Sequence, residues 1–302
     1  MTVEKETRRA LLLMVGSAVM FGAMAFAAKL ASSGLSGSQV AMIRFSTGLL
    51  PVLLVPRYRR SAFKFQRIDL LLYRGVFGGS AVLCYFVAIE KISVGVATLL
   101  NYTSPVFSGL LSMLFLKERF SAKVLIPMPI ALAGVFLVVR AHARPGDILG
   151  FGTWELVGLC SAVLSGSAVT AMRAARQSEN SWAVYTSFCL FGTLLTMPFA
   201  IATWRNPSFD AWIALALTSI FSVCAQLLLT FSLRWVDAMT VGVISQLAVL
   251  VSMALGATFL HDVIPPMAAI GALLSIGGVV GVVYVTSIAR KKVSADEIAP
   301  EA

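Results

Sequence analysis

Apolar runs long enough to cross a lipid bilayer recur along the whole chain. A transmembrane helix needs about 20 apolar residues to span ~30 Å of hydrocarbon. Ten such runs cover about residues 10–31, 38–56, 68–89, 94–116, 121–140, 154–175, 182–203, 210–232, 238–260 and 265–288. Only 13% of the 302 residues are charged, about half the fraction of a soluble domain. The short alternating segments of a transmembrane barrel are not visible. The sequence therefore predicts an all-α integral membrane protein with ten transmembrane helices.

The basic charge of the chain is distributed unevenly between the connections. Seventeen of the 24 Lys and Arg residues fall on one side of the predicted spans, four on the other side and three within spans. This positive-inside bias predicts that both termini are cytoplasmic. The net charge of +10 then serves orientation and binding to lipid headgroups, with no nucleic acid as partner. We expect a multi-pass protein of a bacterial-type inner (plasma) membrane.

The first run has the features of a secretory signal peptide, with a basic start, an apolar stretch and an Ala-x-Ala sequence. The alternative is an uncleaved first span. We prefer the uncleaved span because an internal repeat includes this run.

The repeat appears when the sequence is shifted by 144 residues. Residues 17–19 then match 161–163 as Ser-Ala-Val, and Gly22 matches Gly166. A first half, 1–145, and a second half, 146–302, hold five spans each, and an odd number of spans inverts the second half. The connection after span two has five Lys and Arg residues, whereas its counterpart after span seven has only Arg205. An inverted repeat is characteristic of secondary transporters, whose site lies between the halves near the bilayer midplane.

The end of span four carries a family resemblance. Residues 105–121 begin with Pro-Val-Phe and end with Leu-Phe-Leu-Lys-Glu-Arg-Phe-Ser, while the second half keeps only Leu-His-Asp at 260–262. Over about residues 10–288 the chain resembles the EamA-type drug/metabolite transporter superfamily, and within it bacterial exporters of amino acids and related metabolites. The resemblance implies alternating access through a central cavity.

Span four also contains polar residues and a proline near mid-membrane. Pro105 lacks an N–H, so it predicts a structural kink that leaves the carbonyl of Asn101 without its helical partner. An unsatisfied carbonyl facing lipid costs several kcal/mol, so this backbone must face protein, water or substrate. Packing between helices and lining of a pocket both fit this requirement.

The repeat favours the pocket. Asn101 and Tyr102 correspond to Ser245 and Gln246 in span nine, so both halves keep adjacent hydrogen-bonding residues at the same depth. We expect these residues to line one substrate-binding cavity, with spans five and ten at the periphery. The full set of predicted substrate-binding residues is Tyr85, Asn101, Tyr102, Ser165, Gln226, Ser245 and Gln246.

Charged residues are scarce at the centres of the spans. Arg44 and Arg74 lie within one or two turns of the predicted span ends, where snorkelling to the membrane surface is the ordinary explanation. None of the fourteen carboxylates lies at the centre of a span. A cavity without fixed charge predicts a neutral small-molecule substrate such as an amino acid. We expect facilitated transport without proton coupling.

Other functions remain as alternatives. The chain could export cationic drugs or other metabolites, or could be a membrane-embedded enzyme or a scaffold. The sequence has no His-Glu-x-x-His, no Gly-x-Ser-x-Gly and no acidic metal cluster, and the four cysteines fall within spans without paired spacing. We therefore expect a non-enzymatic transporter with no metal and no cofactor, and a monomer is compatible with the sequence.

Overall fold

The computed structural model describes residues 2–55, 62–116, 126–143, 147, 151–175, 178–232 and 243–298. The basic residues 117–119 of the family-like ending lie outside these ranges. Among the described residues twelve helices are present, which confirms the all-helical class. They are α1 (Thr2–Ala31), α2 (Gly37–Gly48), α3 (Leu50–Leu54), α4 (Ile68–Lys91), α5 (Val94–Asn101), α6 (Ser104–Leu116), α7 (Pro127–Ala141), α8 (Thr153–Ala175), α9 (Ser181–Ala202), α10 (Phe209–Ser232), α11 (Leu247–Phe259) and α12 (Pro266–Ile298).

In the described residues, a helix or two successive helices overlap each of the ten predicted spans. Eight segments of the described chain are long and apolar enough to cross a membrane, and Val243–Phe259 and Pro127–Ala141 form shorter apolar helices. At 1.5 Å per residue, α7 covers only about 22 Å, less than the ~30 Å of a typical hydrocarbon core. Length and composition therefore support membrane insertion most strongly for eight of the ten segments.

The helices pack in the same pairs in both halves. Helix α1 packs against α10 and α11, and helix α8, which corresponds to α1 after a shift of 144 residues, packs against α4 and α6. Helices α2 and α9 pack against each other, as do α7 and α12. The two halves are therefore interleaved, since each half covers the apolar faces of the other.

Glycines at equivalent positions allow the closest of these approaches. A Cβ atom on Gly22 would lie 2.7 Å from the Cβ atom of Val251, and one on Gly166 would lie 2.7 Å from the backbone nitrogen of Ser108. Helix α1 thus meets α11 as α8 meets α6. The two glycines are explained by helix packing, without any substrate.

Helices α7 and α12 form a pair at the edge of the bundle. A Cβ atom on Gly134 would lie 2.5 Å from the carbonyl oxygen of Gly271, and one on Gly278 would contact the backbone of Ala131. The outer faces of both helices expose large apolar side chains, among them Phe136 and Leu273. Spans five and ten therefore act mainly as packing elements.

Candidate functional site

The helix of span four is interrupted at the polar stretch. Helix α5 ends at Asn101, residues 102 and 103 form a turn, and α6 begins at Ser104. The Thr103 amide donates to the carbonyl of Leu100 at 3.2 Å, and the Thr103 hydroxyl donates to the same oxygen at 2.6 Å. Pro105 lies in the first turn of α6, where its missing N–H breaks no helical bond. The local sequence thus forms two helices in place of one continuous helix with a kink.

Span nine is interrupted at the equivalent place. Residues 243–245 are helical, Gln246 forms a turn, and α11 begins at Leu247. The Gln246 amide donates to the carbonyl of Val243 at 3.2 Å, and the Val249 amide donates to the carbonyl of Gln246 at 3.1 Å. These are tight three-residue bonds of the kind that connect short helical segments. The second break forms without a proline.

The two breaks touch each other. The side-chain amide of Gln246 donates to the backbone carbonyl of Tyr102 at 3.4 Å, across a sequence separation of 144 residues. Gln246 is only 4% exposed, and Tyr102 packs against the main hydrophobic core. A carbonyl at a helix break needs a partner when it is buried. The second half therefore supplies the donor for a break in the first half.

Asn101 and Ser245 adjoin this contact in the sequence, and the remaining predicted residues have partners of their own. The Asn101 amide donates to Ser161 at 3.0 Å and to Ser165 at 3.3 Å, both on α8. Asn101 and Ser165 are thus brought together, in a contact that joins two helices. Gln226 and Ser245 are partly buried, and both have interacting partners.

Tyr85 is buried beside α5, with 5% of its surface exposed. Its hydroxyl lies 2.9 Å from the hydroxyl of Thr98, whose own proton is donated to the carbonyl of Val94. The Tyr85 hydroxyl therefore donates to Thr98. Tyr85 belongs to the main hydrophobic core, and Tyr102 packs against the same core.

Arg44 is the residue that the sequence interpretation missed. It is the eighth residue of the 18-residue span Gly37–Leu54, and it is 9% exposed. Its Nε donates to the Ser222 hydroxyl at 2.8 Å, and its guanidinium lies 5.4 Å from the ring centre of Phe45 and 5.8 Å from that of Phe86. The expectation that Arg44 snorkels to the membrane surface is wrong, because the side chain points between helices. A charge inside an apolar span was the available signal.

Hydrogen bonds connect the two halves at one end of the bundle. The Glu90 carboxylate accepts from the amide of Gly37 at 2.7 Å and from the guanidinium of Arg205 at 3.1 Å. The side chain of Gln39 bonds both backbone groups of Arg205, at 2.9 and 3.1 Å. The predicted topology places this end outside the cell. The contacts link α2 and α4 of the first half to the end of α9 in the second half.

An apolar groove opens beside the site. It has a volume of about 520 Å³ and runs between α2, α3 and α10. Ile43 and Thr47 line it from one helix and Ser219 and Val223 from the other, so it borders the contact between Arg44 and Ser222. Among the described residues no group of three or more His, Cys, Asp or Glu side chains is placed to hold a metal ion.

Comparison with known proteins agrees with this architecture. The profile of the EamA-like transporter family matches residues 8–140 and again residues 152–284. A crystal structure aligns with a TM-score of 0.60 and 21% identity over 93% of this chain and 98% of its own, which supports the fold.

Three curated relatives are transporters or solute carriers. The pseudopaline exporter CntI of Pseudomonas aeruginosa is 28% identical over 93% of this chain and 96% of its own length. An uncharacterized transporter of Helicobacter pylori is 28% identical over 70% of this chain and 73% of its own length. Solute carrier family 35 member G1 of Mus musculus is 28% identical over 58% and 50%, respectively. Since the family profile covers most of the sequence, the chain belongs to the EamA-like transporter family.

Proposed function

We propose that this transporter exports amino acids or related small metabolites by alternating access. The contact between Gln246 and Tyr102 carries the proposal. Two broken helices that meet inside a membrane bundle hold backbone groups and amides for which a substrate can compete, and broken helices of this kind form the sites of many secondary transporters. In this proposal the halves 1–145 and 146–302 are inverted five-span repeats, and the chain crosses the inner membrane ten times with both termini cytoplasmic.

The hydrogen bonds at the predicted outer end support alternating access. Glu90 and Gln39 belong to the first half and Arg205 to the second. Exposed ion pairs of this kind contribute little stability, about 0–1 kcal/mol each. A substrate that binds between the halves has to break this ion pair and the two hydrogen bonds between the buried Gln39 side chain and Arg205 when the outer end opens. The same contacts re-form when the inner end opens.

The distribution of carboxylates supports facilitated transport without proton coupling. The described carboxylates lie at helix ends or in connections, as Glu90 and Asp262 do. A proton-coupled transporter usually keeps a titratable carboxylate inside its spans. Net export would then follow the gradient of the substrate itself. The relative that exports pseudopaline supports a metabolite as the substrate.

The buried guanidinium of Arg44 disfavours the alternative of a cationic drug. A cation near Arg44 would be repelled, whereas the carboxylate of an amino acid would be attracted. The substrate is thus a small molecule with at least one acidic group. We expect export to need neither a metal nor a cofactor.

The experiment is transport by the purified protein in liposomes with radiolabelled amino acids, with and without an imposed pH gradient. The proposal expects saturable movement of amino acids down their own gradient, unchanged by the pH gradient. Protein-free liposomes and inactive, heat-treated protein provide the controls. Accumulation that requires the pH gradient would contradict the facilitated mechanism. Movement of organic cations but not of amino acids would contradict the proposed substrate class.

A further inference from the structure

Two arginines from different helices lie together inside the first half. Arg44 on α2 and Arg74 on α4 are linked through two aromatic rings that contact each other. A pair of phenylalanines separates them. The Arg74 guanidinium lies 4.2 Å from the ring centre of Phe188, the Arg44 guanidinium lies 5.4 Å from that of Phe45, and the two rings meet edge to face at 5.0 Å. The arginines therefore face the junction of α2, α4 and α9.

Neither arginine has a carboxylate partner in the part of the chain that the structure describes. The ion pairs found there involve Arg67, Lys91 and Arg205. Arg44 donates to the neutral hydroxyl of Ser222, and the Nε atom of Arg74 is buried without a hydrogen-bond partner. A charged side chain at the centre of a membrane costs at least about 2.5 kcal/mol. Two positive charges that face the interior of the bundle without a counter-ion are therefore an unfavourable arrangement.

The second half shows that the fold itself does not require these charges. At the positions 144 residues further on, Phe188 replaces Arg44 and Thr218 replaces Arg74. The surrounding contacts are equivalent, since a Cβ atom on Gly48 would meet Cys189 while one on Gly192 would meet Phe45. The same backbone packing thus forms around neutral residues in one half and around arginines in the other.

A glycine on α4 makes room for the second arginine. A Cβ atom on Gly78 would collide with the guanidinium of Arg74 and would lie 2.8 Å from the ring of Phe188. The equivalent position in the second half is Ser222, whose hydroxyl accepts from Arg44. Ser222 therefore binds Arg44 through its hydroxyl, and Gly78 leaves space for Arg74 because it has no side chain.

We propose that Arg44 and Arg74 form an anion subsite that binds carboxylate groups of the transported molecule. Guanidinium groups bind carboxylates through two parallel charge-assisted hydrogen bonds, and two of them match a substrate with two carboxylates. The Arg44 guanidinium lies 5.8 Å from the ring centre of Phe86, whose ring lies 5.5 Å from that of Tyr85, so the subsite adjoins the predicted site residue Tyr85. This inference rests on the proposed function and selects net-negative dicarboxylates within it, in place of the neutral substrate expected from the sequence.

The test uses L-glutamate and L-glutamine, which share a skeleton and differ by one carboxylate. Binding to the detergent-purified protein is measured by the ligand-dependent shift of the unfolding temperature. We expect L-glutamate to bind about tenfold more tightly than L-glutamine, since one charge-assisted bond is worth about that factor. Equal affinities would overturn the subsite, and so would the absence of binding by both probes.

Variants then show which residues cause the preference for L-glutamate over L-glutamine. Arg74→Thr introduces the residue that stands at the equivalent position of the second half, and Arg44→Lys keeps the charge but removes the planar fork. We expect Arg74→Thr to weaken L-glutamate binding about tenfold while leaving L-glutamine unchanged, and Arg44→Lys to fall between it and the parent protein. Arg67→Gln, which removes an exposed arginine paired with Asp69, is the control and should keep the preference.

The outcomes separate this inference from the proposed function. If folded Arg74→Thr protein retains the full preference for L-glutamate, the arginines only pack against phenylalanines and the subsite is refuted. If the parent protein transports both amino acids in liposomes at equal rates, the proposed transport function is supported and the anion subsite is refuted. If L-glutamate binds through the arginines but is not transported, the anion subsite is supported and the proposed transport function is contradicted.

Discussion

At position 105 the first half has a proline, and at the equivalent position 249 the second half has a valine. Both helices nevertheless break within one turn before that position, at Tyr102 and at Gln246. At positions 44 and 188 the halves also differ. The first half has an arginine at the junction of α2, α4 and α9, and the second half has a phenylalanine at the equivalent position.

These two differences have different consequences. The backbone shape survives the loss of the proline, so it is set by the packing that both halves share. The charge at position 44 has no counterpart, so it is not needed for that shape. The comparison indicates that both halves share one backbone packing, and we propose that the arginines of the first half select the substrate.

The largest expected effect tests the shared packing. Gly22→Ala and Gly166→Ala each place a Cβ atom 2.7 Å from an atom of the facing helix, and such overpacking costs about 1–3 kcal/mol. We expect both variants to unfold at clearly lower temperature in detergent, by similar amounts. Gly277→Ala is the control, because no atom lies within 4 Å of its added Cβ, and it should be neutral or slightly stabilising. A marked difference between Gly22→Ala and Gly166→Ala would break the equivalence of the halves.

A smaller effect is expected at the contact between the breaks. Gln246→Ala removes the donor to the Tyr102 carbonyl, and the loss of one neutral hydrogen bond is worth about 0.5–1.5 kcal/mol, or a factor of about 2 to 13. We expect transport in liposomes to fall by that factor with folded protein still present. Ser252→Ala removes a buried hydroxyl bonded within its own helix, and it should leave transport nearly unchanged. Equal losses in both variants would remove the special role of Gln246.

The smallest effect is expected at the proline. Pro105→Ala should retain transport within about a factor of two, because a proline in the first turn of a helix replaces no hydrogen bond and because span nine breaks without one. Val249→Pro should cost more, since the Val249 amide donates to the Gln246 carbonyl at 3.1 Å. A tenfold loss in Pro105→Ala would show that the proline itself makes the break.

The sequence predicted the helices better than it predicted the site. Long apolar runs specify where helices lie because the bilayer sets their length, and Pro105 marked the interruption of span four. The break at Gln246 has no local signal, and only the repeat pointed to its depth. The packing of Asn101 against Ser161 depends on which faces of two distant helices meet, and a sequence of apolar residues leaves that open.

Arg44 shows why the chemistry was harder to predict. Its distance from the span ends was readable, but the direction of its side chain depends on Ser222 and on aromatic rings from α2, α4 and α9. A long side chain near a membrane surface and one buried between helices are identical in sequence. The expectation of a cavity without fixed charge stays a prediction, and the burial of Arg44 against Ser222 is the observation that argues against it.

The inversion of the two halves is the central claim, and labelling of equivalent positions tests it most directly. Lys64 and Ser208 are 144 residues apart and follow spans two and seven. Lys64→Cys and Ser208→Cys are each exposed to a membrane-impermeant maleimide in intact cells and in inside-out vesicles, with the parent protein as the background control. Our account predicts that position 208 reacts in intact cells and position 64 only in inside-out vesicles. Reaction of both positions from the same side would contradict the inverted repeat, and with it the alternating-access site between the halves.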